Sequence, residues 1–190
     1  AKFKEDISLL TAFYKNKGYR DFRVLSDSIK FSEDKKKINL VLTLEEGPSY
    51  KYRNFSWEGM SLFSKNELKR ALSLEKGKKY NEEAFNMAVY SRVQGLYLDR
   101  GYIYSRIEPQ ITPVGTDSLD INFSIVENHK VFINQIAIIG NTRTRENVIR
   151  RQLRIFPGDV YSQERIARSY REVMMLSLIH ISEPTRPSTI

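Results

Sequence analysis

The sequence contains no cysteine, which excludes disulfide bridges and thiolate metal sites. Only two histidines occur, His129 and His180, and neither has a partner at the spacing that a metal site needs. There is no run of about 18 apolar residues, so no segment is expected to cross a bilayer as a helix. The chain begins at Ala1 without an initiator methionine or a leader pattern. We therefore expect a fragment, whose N-terminus says nothing about location.

No arrangement of residues in the sequence is typical of an active site. The acidic pairs Glu45-Glu46 and Glu82-Glu83 are the nearest candidates for acid–base chemistry, but neither lies in a segment predicted to form an apolar pocket. A solvated surface explains both pairs better. The sequence therefore predicts a protein without enzymatic activity, bound cofactor or metal ion.

The charge is basic but dispersed. Lys and Arg number 31 against 23 acidic residues, and the formal net charge of +8 favours encounter with acidic partners. The longest basic run, Lys35 to Lys37, directly follows Glu33 and Asp34, and no aromatic–basic pattern of nucleic-acid recognition appears. We therefore expect an ordinary solvated surface and no nucleic-acid partner. The alternative, a basic nucleic-acid binder, predicts a steep dependence of binding on salt.

A unit of about eighty residues recurs along the chain. The segment GKKYNEEAF starts at Gly77, and GDVYSQERI starts 81 residues later at Gly158. DRGY, ending at Tyr102, likewise follows NKGY, ending at Tyr19, by 83 residues. A fixed period of this kind indicates an array of similar modules. We predict a partial module at 1–48, a complete module at 49–128 and a second partial module at 129–175.

Hydrophobic periodicity gives the order of elements within a module. The opening stretch predicts a helix with Phe3, Ile7, Leu10 and Tyr14 on one face. Residues 38–44 and 119–125 alternate apolar and polar positions, which is typical of strands with one buried face. The complete module reads strand, helix, helix, strand, strand, and the second of its helices carries Tyr90, Val93 and Tyr97 on the predicted inner face. The last module is predicted to repeat a strand at 131–139 and helices at 145–154 and from 163.

The C-terminal segment from Leu176 to Ile190, LSLIHISEPTRPSTI, does not continue the repeat. It resembles translated sequencing-adapter sequence and replaces the elements that the module order predicts. We therefore expect it to be a non-native tail rather than a divergent part of the fold.

The recurring motifs resemble those of POTRA domains in order and spacing. These are Gly-Tyr after the second helix, Glu-Gly after the last strand, Gly-Asn after the first strand and Gly-x-x-Tyr between the helices. Met60 and Asn128 depart from the pattern, although Asn tolerates a positive φ better than other non-glycine residues. The matching residues are Gly18, Tyr19, Glu46, Gly47, Gly59, Gly77, Tyr80, Gly101, Tyr102, Glu127, Gly140, Asn141, Gly158 and Tyr161.

This resemblance implies an α+β fold made of tandem modules, each with a three-stranded mixed sheet and two helices packed on one face. Tandem modules of this size look like the periplasmic arm of BamA-type assembly factors at the outer membrane of Gram-negative bacteria. The implied partners are unfolded outer-membrane protein segments, accessory assembly lipoproteins and a C-terminal membrane barrel. The arm of a TamA-like or two-partner secretion transporter is the alternative within the same family.

The functional candidates are strand edges, because an exposed edge can pair with an incoming extended chain through its main chain. Pro109 and Pro113 predict that the strand at 103–113 is an edge, since proline within sheets is confined to edges, first residues and bulges. The corresponding strand of the first module, 22–31, has no proline and is the preferred docking edge. Its predicted residues are Phe22, Val24, Ser26, Ser28 and Lys30, and those of the secondary edge are Ser105, Ile107 and Ile111.

A different class of function stays open. The short linkers at 47–49 and 128–130 restrict hinging, so the modules could form a structural spacer that docks accessory lipoproteins through exposed side chains. A proline placed in the edge at Val24 discriminates, because only main-chain pairing requires the N–H group that proline lacks.

Overall fold

A computed structural model describes residues 2–32, 36–142 and 144–181 of the chain. The chain forms two compact units. The first comprises Ala1–Val93 and Arg106–Val126, and the second comprises Gln94–Ser105 and Glu127–Ile190. None of the helices among the described residues combines the length and apolarity needed to cross a membrane.

The first unit opens with a helix and a two-stranded antiparallel sheet. Helix α1 spans Lys2–Asn16, strand β1 spans Arg23–Phe31 and strand β2 spans Ile38–Glu45. The predicted stripe on α1 is half-buried, with Tyr14 stacked on Phe22 at 4.1 Å between ring centroids. Most of β2 is exposed, unlike the buried strand that its alternation predicts. Residues 33–35, which lie between β1 and β2 in the sequence, are outside the described residues.

The rest of the first unit contains the three-stranded sheet of the middle module. Strand β3 spans Lys51–Glu58, helix α2 spans Lys65–Leu72, strand β4 spans Arg106–Val114 and strand β5 spans Ser118–Val126. Strand β5 lies in the centre, parallel to β3 and antiparallel to β4, which confirms the predicted mixed sheet. The alternating apolar residues of β5 are all buried, and Trp57 stacks on Phe123 at 4.2 Å.

Helix α2 begins with a capping box at Ser64. The Ser64 hydroxyl accepts a hydrogen bond from the Glu67 N–H at 3.3 Å, and the Glu67 carboxylate accepts one from the Ser64 N–H at 2.8 Å. These bonds satisfy two of the backbone N–H groups that a helix start leaves without intrahelical partners. Leu68 and Leu72 of α2 are completely buried.

The second helix of the middle module is interrupted by a π-helical segment. Helix α3 (Glu82–Asn86) continues into a π-helical segment at Met87–Val93 and then into helix α4 (Gln94–Asp99). The buried positions Phe85, Val89, Val93 and Tyr97 recur every fourth residue, which drifts from the 3.6-residue period of a regular α-helix. The wider π-helical turn accommodates this spacing. The predicted inner position of Tyr90 is therefore wrong, since its side chain is 53% exposed and Val89 is buried in its place.

The second unit contains two further helices, α5 (Glu146–Gln152) and α6 (Gln163–Ile181). The predicted strand at 131–139 does not form there. Only an isolated bridge joins Phe132 to Val160, because no strand among the described residues lies alongside this segment to pair with it. The backbone of α6 extends to Ile181, into the predicted tail, and residues 182–190 lie outside the described part of the chain.

A pair of neighbouring substitutions tests the π-helical segment. Val89→Ala should destabilise the chain by roughly 2 kcal/mol, because it leaves a cavity at a fully buried position. Tyr90→Ala should change stability by no more than about 0.5 kcal/mol, since it alters a largely exposed side chain. Denaturant unfolding followed by the fluorescence of Trp57, the single tryptophan, measures both. A larger effect at Tyr90 than at Val89 would contradict the assigned register of the helix.

Candidate strand-docking edge

Among the described residues, strand β1 pairs only with β2, on one of its two sides. At the end of this hairpin the Ser32 N–H donates to the Lys37 carbonyl at 3.0 Å. Hydrogen-bonded and non-hydrogen-bonded pairs alternate along an antiparallel ladder, so the Lys30–Asn39 and Ser28–Val41 pairs are bonded. The pairs between them are not bonded. The backbone groups of their β1 members, Asp27, Ile29 and Phe31, therefore point away from β2.

A bulge changes the register near the start of β1. Val24 pairs with Leu44 but Ser26 pairs with Thr43, which leaves Leu25 as an extra residue. Following the alternation along β2 places the backbone groups of Val24 on the outward side as well. The bulge also keeps Val24 and Ile29 on the face that carries Leu40 and Leu44. The outward edge of β1 thus consists of Val24, Asp27, Ile29 and Phe31.

These findings correct the predicted docking residues. Phe22 precedes the strand, is buried, and donates its N–H to the Tyr19 carbonyl at 3.1 Å, so it is not part of the free edge. Ser26, Ser28 and Lys30 lie in the strand, but their backbone groups face β2. Simple alternation from Val24 missed this change. The signal in the sequence was that Val24 and Ile29 lie five positions apart. In a regular strand an odd spacing places two side chains on opposite faces, so only a bulge can place both on one face.

One end of the β1 edge carries a charged pair across the hairpin. The Arg23 Nε lies 2.6 Å from the Glu45 carboxylate, and this hydrogen bond raises the pKa of the arginine. Further along the strand, Leu25 and Ile29 are about half exposed. The edge therefore combines free backbone groups with apolar side chains. Its ion pair lies at the first residue of the strand and does not cover the middle of the strand.

Strand β4 is an edge strand of the three-stranded sheet and is the second candidate for docking. The Lys51 N–H donates to the Asp117 carbonyl at 2.8 Å, and a Cβ atom on Gly59 would overlap the Ile125 carbonyl oxygen. Both contacts show that the backbone N–H and C=O groups of the odd-numbered residues of β5 point toward β3. The even-numbered residues of β5 therefore bond to β4, which leaves Pro109 and Pro113 among the outward residues of β4. Two of the donors that a free edge would offer are missing.

The predicted secondary-edge residues differ in their positions. Ser105 precedes β4 and donates its N–H to the Tyr102 carbonyl at 3.1 Å, so it does not belong to the edge. Ile107 and Ile111 lie in the strand and have outward backbone groups; Ile107 precedes Pro109, and Ile111 lies between the two prolines. The Ile107 side chain is buried and that of Ile111 is half-buried. Main-chain pairing at β4 would rest on these two N–H groups.

The motif residues lie in the turns that join the elements. The Tyr80 N–H donates to the Tyr50 carbonyl at 2.9 Å, and the Tyr161 N–H repeats this contact with Val131 at 3.0 Å. Tyr80 is buried, and burial raises the pKa of its phenol. The backbone has positive φ at Gly18, Gly47, Gly59, Gly77, Gly101, Gly140 and Gly158, and at Asn128, which stands where the motif has glycine. Tyr19 and Tyr102 are half-buried, and the exposed Asn141 donates to the Thr144 carbonyl at 3.2 Å.

Comparison with known families gives three matches along the chain. The model of the POTRA family, described as a surface antigen variable number repeat, matches residues 1–47, 50–128 and 131–174. The chain belongs to the POTRA family. This agrees with the α+β fold and with the mixed three-stranded sheet of the middle module.

Named relatives of this POTRA chain include two outer membrane protein assembly factors called BamA. The one from Neisseria meningitidis is 35% identical over 177 residues, which cover 92% of this chain and 22% of the relative. The one from Nitratidesulfovibrio vulgaris is 29% identical over 171 residues, covering 87% of this chain and 21% of the relative. The chain thus spans about a fifth of the length of these relatives.

Solved structures share the POTRA fold. The crystal structure of POTRA domains 3–5 of Haemophilus influenzae BamA has a TM-score of 0.73 and 19% sequence identity, covering 93% of this chain and 70% of that one. BamA from Haemophilus ducreyi lacking POTRA domains 1–3 has a TM-score of 0.56 and 18% identity over 67% of this chain and 23% of that one.

Within residues 2–32, 36–142 and 144–181, no three His, Cys, Asp or Glu side chains converge as a metal ion would require.

Amide hydrogen exchange tests the assigned sides of the two edge strands. The outward N–H of Ile29 should exchange at least about tenfold faster than that of its neighbour Ser28, because only Ser28 is bonded within the ladder. Ile111 should likewise exchange faster than Gln110. Residue-resolved exchange measured by NMR provides these rates. Slower exchange at Ile29 than at Ser28 would mean that the other side of β1 is free.

Proposed function

We propose that this chain is part of the periplasmic POTRA arm of an outer-membrane protein assembly factor in a Gram-negative bacterium. In this role β1 receives extended segments of unfolded outer-membrane proteins, here called clients, by β-augmentation. The modules span 1–48, 49–128 and 129–175, close to the ranges that the POTRA family model matches. The relatives that are named as assembly factors support the cellular role.

The proline-free outward edge of β1 is the observation that carries the docking proposal. Among the described residues the sheet of the first module has only two strands, so the outward backbone groups of Val24, Asp27 and Ile29 have no neighbouring strand. Main-chain pairing makes little demand on client sequence. Such an edge therefore suits a protein that must bind many different unfolded chains.

The absence of proline makes β1 the better edge. From Asp27 to Phe31 an incoming strand can bond to β1 at every second residue, whereas Pro109 and Pro113 interrupt the outward donors of β4. Prolines on an edge protect a sheet from unwanted pairing. We infer that β4 is protected by this means and that client capture is concentrated on β1.

Further partners follow from the same proposal. The complete protein would carry a C-terminal membrane barrel and would dock accessory assembly lipoproteins through its modules. The arm of a TamA-like or two-partner secretion transporter is the alternative membrane context. A purely structural docking spacer is the alternative role, and it would bind folded partners through exposed side chains rather than through the edge.

Site-specific photo-crosslinking tests the preference between the edges. Crosslinkers at Val24 and Ser28 should trap client segments in greater yield than crosslinkers at Ile107 and Ile111, because no proline removes a donor from the outward edge of β1. The measurement is made in the full-length protein during synthesis of outer-membrane proteins. Equal yields, or higher yields at Ile107 and Ile111, would refute the proposed preference.

A proline substitution separates main-chain capture from side-chain docking. Ile29→Pro removes one outward N–H group. It should weaken client binding about three- to tenfold, which corresponds to the net free energy of one hydrogen bond. The matched control, Ile29→Ala, keeps the N–H and should retain capture. The double variant Pro109→Ala with Pro113→Ala restores two donors and should increase crosslinking at Ile111. Equal client binding by the proline and alanine variants at Ile29 would instead support the structural spacer.

A further inference from the structure

The motifs NKGY and DRGY both hold the start of a helix that lies about 65 residues further along the chain. The Asn16 Oδ1 accepts a hydrogen bond from the Glu83 N–H at 3.0 Å. The Asp99 Oδ1 accepts one from the Glu164 N–H at 2.8 Å. Glu83 and Glu164 are 81 residues apart and occupy the same position in successive repeats. The same contact therefore occurs twice, once within the first unit and once within the second.

This contact satisfies a backbone group that the helix cannot satisfy itself. The first four N–H groups of a helix have no intrahelical acceptor. The helix's own N-cap takes the third of them, since Asn81 Oδ1 accepts from Ala84 at 2.7 Å and Ser162 Oγ accepts from Arg165 at 3.3 Å. The second N–H, that of Glu83 or Glu164, is bonded by the preceding motif. Each helix start thus has one local cap and one cap that comes from the module before it.

The glycine of each motif adds a backbone contact to the segment that begins the next module. The Gly18 carbonyl accepts from the Tyr50 N–H at 2.9 Å, and the Gly101 carbonyl accepts from the Val131 N–H at 2.9 Å. Both glycines have positive φ, and a Cβ atom would lie 2.9 Å from Ser49 Oγ at Gly18 and 2.6 Å from Val160 Cγ1 at Gly101. Glycine is required because the next segment packs directly against this turn.

The two copies differ in charge in a way that suits their neighbours. Beside the first, Lys15 forms an ion pair with Glu82 at 3.1 Å, and the amide of Asn16 donates to the Glu83 carboxylate at 3.3 Å. An aspartate there would place a third carboxylate beside two glutamates. At the second copy Gln163 replaces the first glutamate, and the negative Asp99 lies at the positive end of α6.

We propose that the motif Asn/Asp-x-Gly-Tyr is a docking element for the next POTRA module, and that its first residue couples the folding of neighbouring modules. The motif binds a module in which the second residue of the second helix, Glu83 or Glu164, has a free N–H group to donate. Residues 94–105, which contain DRGY, form a compact unit with residues from Glu127 onward, in keeping with this role. The coupling is the nearest-neighbour interface that gives repeat arrays their cooperativity.

Hydrogen exchange at the two capped amides tests the docking element, with matched variants in the same chain. Asp99→Ala should speed exchange of the Glu164 amide about tenfold, as expected for loss of a helix cap, whereas Asp99→Asn keeps the acceptor oxygen and should preserve protection. Asn16→Ala should speed exchange at Glu83 and leave Glu164 unchanged. Ser8→Ala, at an exposed position of α1, should leave both amides unchanged.

The result that would overturn the proposal is equal protection of Glu164 in the alanine and asparagine variants of Asp99. Unchanged exchange at Glu83 in Asn16→Ala would overturn it equally. Should Asp99→Ala unfold the second unit outright, the retained fold of Asp99→Asn would support the cap, and loss of fold in both would contradict it. These outcomes are independent of client capture at β1, which the exchange measurement does not require.

Discussion

Hydrogen bonding on both sides of β5 is the constraint on which the middle module depends. Because β3 and β4 occupy its two sides, the odd-numbered residues of β5 face β3 and the even-numbered residues bond to β4. The buried apolar residues from Leu119 to Ile125 follow from this placement. It also determines which backbone groups of β4 remain free, and it requires that Pro109 and Pro113 lie outward, since neither can donate to the ladder.

The same reasoning explains why the candidate site is made of backbone rather than of side chains. β1 has one bonded side and one free side, and what distinguishes it from β4 is the presence of N–H groups at alternate positions. Patterns of catalytic or metal-binding side chains therefore do not reveal such a site. The proline positions in the sequence do point to it, because they show where main-chain donors are missing.

Features set by short-range periodicity could be predicted from the sequence, and features set by distant neighbours could not. The capping box at Ser64 and the central position of β5 follow from local patterns. The bulge at Leu25 depends on the pairing of β1 with β2, and the π-helical segment depends on which residues must be buried. The segment at 131–139 has strand-like composition but lacks a neighbouring strand among the described residues, and composition alone does not form a ladder.

The repeated cap at Asn16 and Asp99 illustrates how a short motif can hold two modules together. Its glycine was evident from the repeat, but the role of its first residue became evident only from the contact with a helix in the following repeat. Neighbouring modules are thus joined by specific hydrogen bonds rather than by a flexible linker.

The most direct test of the account is amide protection of this chain on addition of a peptide that has the alternating sequence of a membrane barrel strand. Pairing at the proposed edge predicts that the outward amides of Asp27 and Ile29 become protected while those of Ile107 and Ile111 do not. Protection confined to Ile107 and Ile111, or peptide binding that protects neither pair, would contradict docking of clients on β1.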